Sequence, residues 1–251
     1  MIFRATFAIS INALALMSAS ARPGQTQCEI AIQDINQARY TICAFTAGSD
    51  IRLFQGKALN ANDQFKELDQ ILSKENLVLQ FAMNGGMYHK DRSAVGLYIQ
   101  DGQAFTSLQK KASSGNFGLV PNGVFYIDES GFHVSETLAY AKSDLSPQFA
   151  SQSGLMLVIN DKLHPAFKRN STSKRVRNGV GVSEDGETVY FVKSEIAVNF
   201  HDFASLFRND LKTPNALYLD GVISRLYDAE TRRKDIGARM GPIIAVIGSR
   251  Q

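Results

Sequence analysis

The chain has 251 residues, 44% of them hydrophobic and 20% charged, a composition that supports one sizeable core or two small ones. Its 27 basic and 24 acidic residues leave a net charge of only +3, with no long block of Lys or Arg, so nucleic acid is not the expected partner.

The chain opens with "MIFRATFAISINALALMSASARPG": one early charge at Arg4, a mostly apolar stretch from Ala5 to Met17, and an Ala19-Ser20-Ala21 cleavage pattern. These features predict a secretory signal peptide over residues 1–21. A membrane anchor is the alternative, but the run is short and carries Ser10 and Asn12. No other stretch approaches the roughly 20 apolar residues that a span requires, so no membrane span is expected after cleavage and the location is periplasmic or secreted. Residues 22–251 read as a single domain, with no low-complexity segment and no clear linker.

An exported chain meets an oxidising compartment. In "CEIAIQDINQARYTICAF" two strands are joined by a polar turn, with Cys28 and Cys43 at the far ends. That layout predicts a disulfide; two free buried thiols are the alternative. Without a nearby His the pair does not make a zinc site.

"NANDQFKELDQILSKEN" predicts a helix with Phe65, Leu68, Ile71 and Leu72 on one face and Asn62 or Asp63 as cap. In "VLQFAMNGGMYH" an apolar run from Val78 to Met83 ends on Asn84, Gly85 and Gly86. Hairpins are predicted around Asp101-Gly102, around Gly131, at Asn160-Asp161 and at Asp185-Gly186. "FKRNSTSKRVRNG" reads as an exposed, mobile loop, and "NFHDFASLFRNDLK" as a second amphipathic helix. "NALYLDGVIS" then repeats the earlier pattern, running Ala216 to Leu219 into Asp220-Gly221. Together these elements predict an α+β domain with mixed, largely antiparallel sheets built from hairpins and a few flanking helices.

The chain has no HExxH, no GxSxG elbow and no P-loop, and His89, His133, His164 and His201 are not at metal-ligand spacing, so no metal and no cofactor is expected. Asn84-Gly85-Gly86 alone could be a tight turn. Two strand ends of one kind, plus the basic "STSKRVRNGVGV", suggest more. Glycines allow close approach of a ligand and present amides to an anion. Arg175 and Arg177 offer planar forks for phosphate. Asp220 offers a strand-end carboxylate for proton or nucleophile work.

These stretches resemble the phosphodiester glycosidase family. "AMNGGMYHKDRSAVGLYIQDG" is similar to its Asn-Gly-Gly-Met-aromatic segment, and "QSGLMLVINDKLHP" to its Gly-containing strand pair. "RNGVGVSEDGETVYFV" is similar to its Arg-x-x-x-Gly-x-x-x-x-Gly element, through Arg177, Gly181 and Gly186. "LYLDGVISRLY" resembles its Leu-Asp-Gly-x-x-Ser element, through Asp220, Gly221 and Ser224. Where lysosomal-type members have Asp-Gly-Gly-Gly-Ser, this chain has Asp220-Gly221-Val222-Ile223-Ser224, closer to small exported bacterial members. The resemblance implies hydrolysis of a sugar-1-phosphodiester, a sugar-phosphate or phosphoglycan being the substrate. It casts Asp220 as base or nucleophile, Arg177 as phosphate clamp, and Asn84 with the Gly85 and Gly86 amides as positioning donors. Met87, His89, Arg175, Gly221 and Ser224 would line the substrate site. A non-catalytic glycan- or phosphate-binding envelope protein, or a metal-dependent phosphodiesterase, stays open beside it.

Overall fold

The computed structural model describes residues 27–33, 38–112 and 115–250; the leader expected over residues 1–21 lies outside them. The strands are β1 (Gln27–Gln33), β2 (Ala38–Thr46), β3 (Asp50–Gln55), β4 (Leu77–Asn84), β5 (Tyr98–Gln100), β6 (Gln103–Thr106), β7 (Asn122–Asp128) and β8 (Gly131–Glu136). They continue with β9 (Phe149–Ile159), β10 (Lys162–Leu163), β11 (Asn178–Val182), β12 (Thr188–Ser194), β13 (Asn215–Asp220), β14 (Leu226–Asp228), β15 (Arg233–Lys234) and β16 (Pro242–Ser249). An eleven-stranded sheet runs β1-β2-β12-β11-β13-β9-β5-β6, with β7 and β10 also on β9 and β8 on β7. A five-stranded sheet runs β15-β14-β4-β16-β3.

Every ladder between these strands is antiparallel. Strand makes up 45% and helix 14%, so the hairpin-built sheets are present but the fold is more sheet-dominated than a balanced α+β domain. The expected turns carry the left-handed backbone a tight hairpin needs: Asp101 and Gly102 have φ of 52° and 74°, Asn160 and Asp161 of 47° and 63°. Cys28 lies directly opposite Cys43 in the β1–β2 ladder, and the two form a disulfide.

The inner faces of the two sheets pack on each other, Phe81, Met83, Ile244 and Val246 meeting Phe125, Phe191, Leu217 and Leu219. The helix Gln64–Ser73, capped by Asp63 accepting from Lys66 N at 3.2 Å, covers the other face of the small sheet through Phe65, Leu68 and Leu72. The helix Phe200–Ser205 and the wide turn Leu206–Asp210 cover the other face of the large sheet through Phe203, Leu206 and Phe207. Central strands are therefore buried on both faces, which is why "ALYL" and "PIIAVI" are continuous apolar runs rather than alternations. Each such Leu or Phe taken from water contributes about 1.5–3 kcal/mol before ordering costs. Among the described residues, no helix is long and apolar enough to cross a membrane.

Candidate active site

Strands β4 and β13 belong to different sheets, yet their C-terminal ends meet. The stitch is Asn178 on β11. Its Oδ1 accepts from Asp220 N at 2.8 Å, and its Nδ2 donates to Asn84 O at 3.4 Å. Asn84 is wholly buried; its Oδ1 accepts from Arg225 N at 3.0 Å, and its Nδ2 has no partner among the described residues. A buried amide donor without an acceptor is costly, and such groups concentrate at functional sites.

Asp220 is 7% exposed. Its Oδ1 accepts from Gly221 N at 2.6 Å and Val222 N at 2.8 Å. Burial pushes its carboxyl above the usual carboxylate range, and the amides of Val222, Gly221 and Ile223 offset part of that. The phenol of half-buried Tyr88 is pushed up first by its own burial and next by the Asp220 charge, so Tyr88 stands within electrostatic reach.

The glycines at these strand ends answer to internal packing. A Cβ on Gly221 would run into the Tyr218 hydroxyl. A Cβ on Gly85 would lie 2.8 Å from Ile244 Cγ1, and one on Gly86 2.8 Å from Ser151 Oγ. The Gly85 N–H donates to Pro242 O at 2.7 Å and the Gly221 N–H to Asp220, so neither amide is open to an anion.

Arg177 is 1% exposed and does not face the cleft as a clamp would. Its guanidinium stacks 3.5 Å from the Phe200 ring centre and donates to Val198 O at 2.9 Å, Ser173 O at 3.1 Å and the Tyr218 hydroxyl at 3.5 Å. Burial lowers its pKa. The aromatic and carbonyl partners that draw it inward come from β13, residues 198–200 and residue 173, none of them visible in the spacing of the motif. With Asn199 donating to Arg169 O at 3.1 Å and a backbone bridge from Arg175 to Val198, Arg177 ties down the basic segment that the sequence presents as a mobile loop. Arg175 is exposed, its Nη1 on Lys174 O. Met87 packs against the large sheet's outer cluster, and His89 is exposed in a turn closed by Arg92 N donating to His89 O at 2.7 Å. Ser224 Oγ donates only weakly, at 3.4 Å, to Val176 O and Asp220 O.

A cavity of about 350 Å³ opens beside the Asp220–Gly221 turn. Gly221, Ser224, Lys193 and Asp235 give it a polar wall, and Val176, Val222 and Ile236 an apolar one. Lys193 and Asp235 escape sequence reasoning. The only available signal for Lys193 is a lysine near the end of the apolar strand "TVYFVKS". Both belong to a charge cluster in which Arg233 bridges Glu195 at 2.8 Å and Asp235 at 2.9 Å. Among the described residues no group of three His, Cys, Asp or Glu side chains converges as a metal site.

The sequence model of the phosphodiester glycosidase family matches residues 78–243. The uncharacterised protein YigE of Escherichia coli (strain K12) is 40% identical over 149 residues, covering 59% of this chain and 58% of that relative, so the match spans less than two thirds of its length. Among solved structures, the catalytic domain of zebrafish N-acetylglucosamine-1-phosphodiester alpha-N-acetylglucosaminidase, auto-inhibited by its pro-peptide, aligns with a TM-score of 0.58 over 90% of this chain and 84% of that one, at 14% identity. A candidate exported protein of Burkholderia pseudomallei K96243 aligns with a TM-score of 0.52 over 83% and 74%, at 10% identity. At these identities the structural likeness is one of fold.

Proposed function

The chain belongs to the phosphodiester glycosidase family, and we propose that it hydrolyses a sugar-1-phosphodiester at the glycosyl C–O bond, on exported or envelope glycans. Water adds its oxygen to the anomeric carbon, and the bridging oxygen leaves with the phosphate, so the products are a free sugar and a phosphomonoester. The observation that carries this reading is the buried Asp220 carboxylate, one oxygen fixed by two amides and its proton affinity raised by burial, on the turn whose next two residues, Gly221 and Val222, line the cavity. A raised affinity suits a proton acceptor for the attacking water. Phosphate is already a good leaving group, so a second carboxylate acting as acid is less needed than in ordinary glycosidases. Asn84, with its unpartnered Nδ2, is the positioning donor in this reading. Ser224 and the Gly221–Val222 backbone form the wall against which the substrate lies.

The test is hydrolysis of a panel of sugar-1-phosphodiesters in oxygen-18 water. The label is expected on the C1 hydroxyl of the sugar. Label on the phosphate would assign the cleavage to the P–O bond, and no turnover across the panel would leave a binding protein.

A further inference from the structure

If Arg177 is sequestered, some other group must meet the phosphate. We propose that Lys193 Nζ and Ser224 Oγ form an anion-binding subsite in the cavity beside Asp220, the place where a phosphate or phosphodiester group sits. The inference rests on the hydrolase reading only for the word substrate; anion binding stands by itself.

Lys193 lines the cavity although its side chain is only 9% exposed. Its ammonium lies 3.5 Å from Glu195 Oε2 and 3.4 Å from Asp235 Oδ2, both longer than a good charge-assisted hydrogen bond. A nearly buried cation is thus held by two long ion pairs and can turn a donor to a better-placed acceptor. The two carboxylates do not need them. Glu195 takes Arg233 Nη1 at 2.8 Å, Arg233 Nη2 at 3.2 Å and Thr41 Oγ1 at 2.7 Å. Asp235 takes Arg233 Nε at 2.9 Å, Arg233 Nη2 at 3.1 Å and Leu226 N at 3.1 Å. Arg233 and Lys193 balance Glu195 and Asp235, so the cluster is neutral and an arriving anion meets no net repulsion from it. Ser224 Oγ, on the same cavity, spends its proton on carbonyls at 3.4 Å and can turn to a better acceptor. A phosphodiester presents two non-bridging oxygens, one for each donor.

The probe is inorganic phosphate, titrated calorimetrically into the purified full chain. One site is expected, weakened roughly 10- to 100-fold by Lys193→Met, the scale of a lost charge-assisted hydrogen bond. Removing Lys193 leaves an excess carboxylate and lowers stability, so two further variants accompany it. Ser224→Ala, whose hydroxyl holds little in place, should weaken phosphate about 3- to 10-fold. Asp235→Asn removes a competing acceptor and should tighten it several-fold, a direction that misfolding cannot produce. Absence of phosphate binding in the parent, or a folded Lys193→Met that binds as the parent does, overturns the subsite. Phosphate binding without turnover keeps the subsite and removes the hydrolase reading; turnover with an unchanged KM in Lys193→Met does the reverse.

Discussion

Asp220 and Arg177 are both buried charges, and they meet burial in opposite ways. Arg177 is surrounded by acceptors and rings. Asp220 keeps two amides on one oxygen while burial still holds its carboxyl above the usual range. Asp220→Asn retains an acceptor for those amides and removes the buried charge. We expect kcat to fall by at least about 10²-fold while the thermal midpoint stays level or rises. The native pKa is the raised one, so this carboxyl's stabilising contribution is full below the unfolded value and is lost as pH rises through the native one. The midpoint advantage of the Asn variant should therefore grow as pH rises from the ordinary Asp value, about 4, through the raised native one, and kcat/KM of the parent should drop on the acid side at a pH above the ordinary Asp range. Thermal melts and rates on the same preparations check both; an active, cleanly folded Asn variant removes Asp220 from the chemistry. For Arg177→Lys the expectation is reversed. Three acceptors and a stacking ring lose a planar partner, so unfolding in urea should reveal a loss of about 2–4 kcal/mol with KM changed less than about threefold. The sequence made the residue types legible here. It could not tell an arginine facing a ligand from one facing Phe200 and Val198 O, because that depends on partners up to 41 positions away.

Elements were more legible than residues, since turn chemistry is local. Asp101-Gly102 and Asn160-Asp161 form the expected hairpins, and Asp63 caps the first helix. The second expected helix, "NFHDFASLFRNDLK", is α-helical only over Phe200–Ser205 and then widens over Leu206–Asp210, where Leu211 N donates to Leu206 O at 3.0 Å. Periodicity finds its buried face but not that change of winding. The Asp220–Gly221 turn is an element-scale device as well, because Gly221 leaves room for the Tyr218 hydroxyl. Gly221→Ala should lower both stability and kcat, and adding Tyr218→Phe should restore part of both, a coupling of the kind a double-mutant cycle measures. Strictly additive effects would show that the two groups do not compete for one space. At the edge of the large sheet, the Cys28–Cys43 bridge spans 15 positions. Its removal by Cys28→Ser should cost roughly 2–3 kcal/mol, with hydrogen exchange quickening in β1 before the central strands; equal protection of β1 in both proteins would contradict it.

At the scale of the whole molecule, a net charge of +3 conceals an uneven surface. Lys168, Arg169, Lys174 and Arg175 are all exposed, and none stands within ion-pair distance of a carboxylate among the described residues. They lie on the segment that Arg177 and Asn199 pin, and Val176 of that segment lines the cavity. Composition alone cannot expose such an arrangement, because it averages these four over a chain that carries 24 acidic residues elsewhere. Cations fixed beside a cleft raise the local concentration of an anionic substrate, and salt screens the effect over a distance of about 10 Å at 0.1 M. For a phosphodiester substrate, kcat/KM should therefore fall several-fold between about 0.05 and 0.5 M salt, with kcat nearly constant. Replacing the four residues with Gln should lower kcat/KM at low salt and flatten the dependence. The thermal midpoint should barely move, since exposed side chains without ion pairs hold little of the fold. The measurement is the slope of log kcat/KM against log ionic strength for parent and quadruple variant. Parallel slopes would mean that the pinned segment serves the fold alone, and that the anion reaches the cavity without its help.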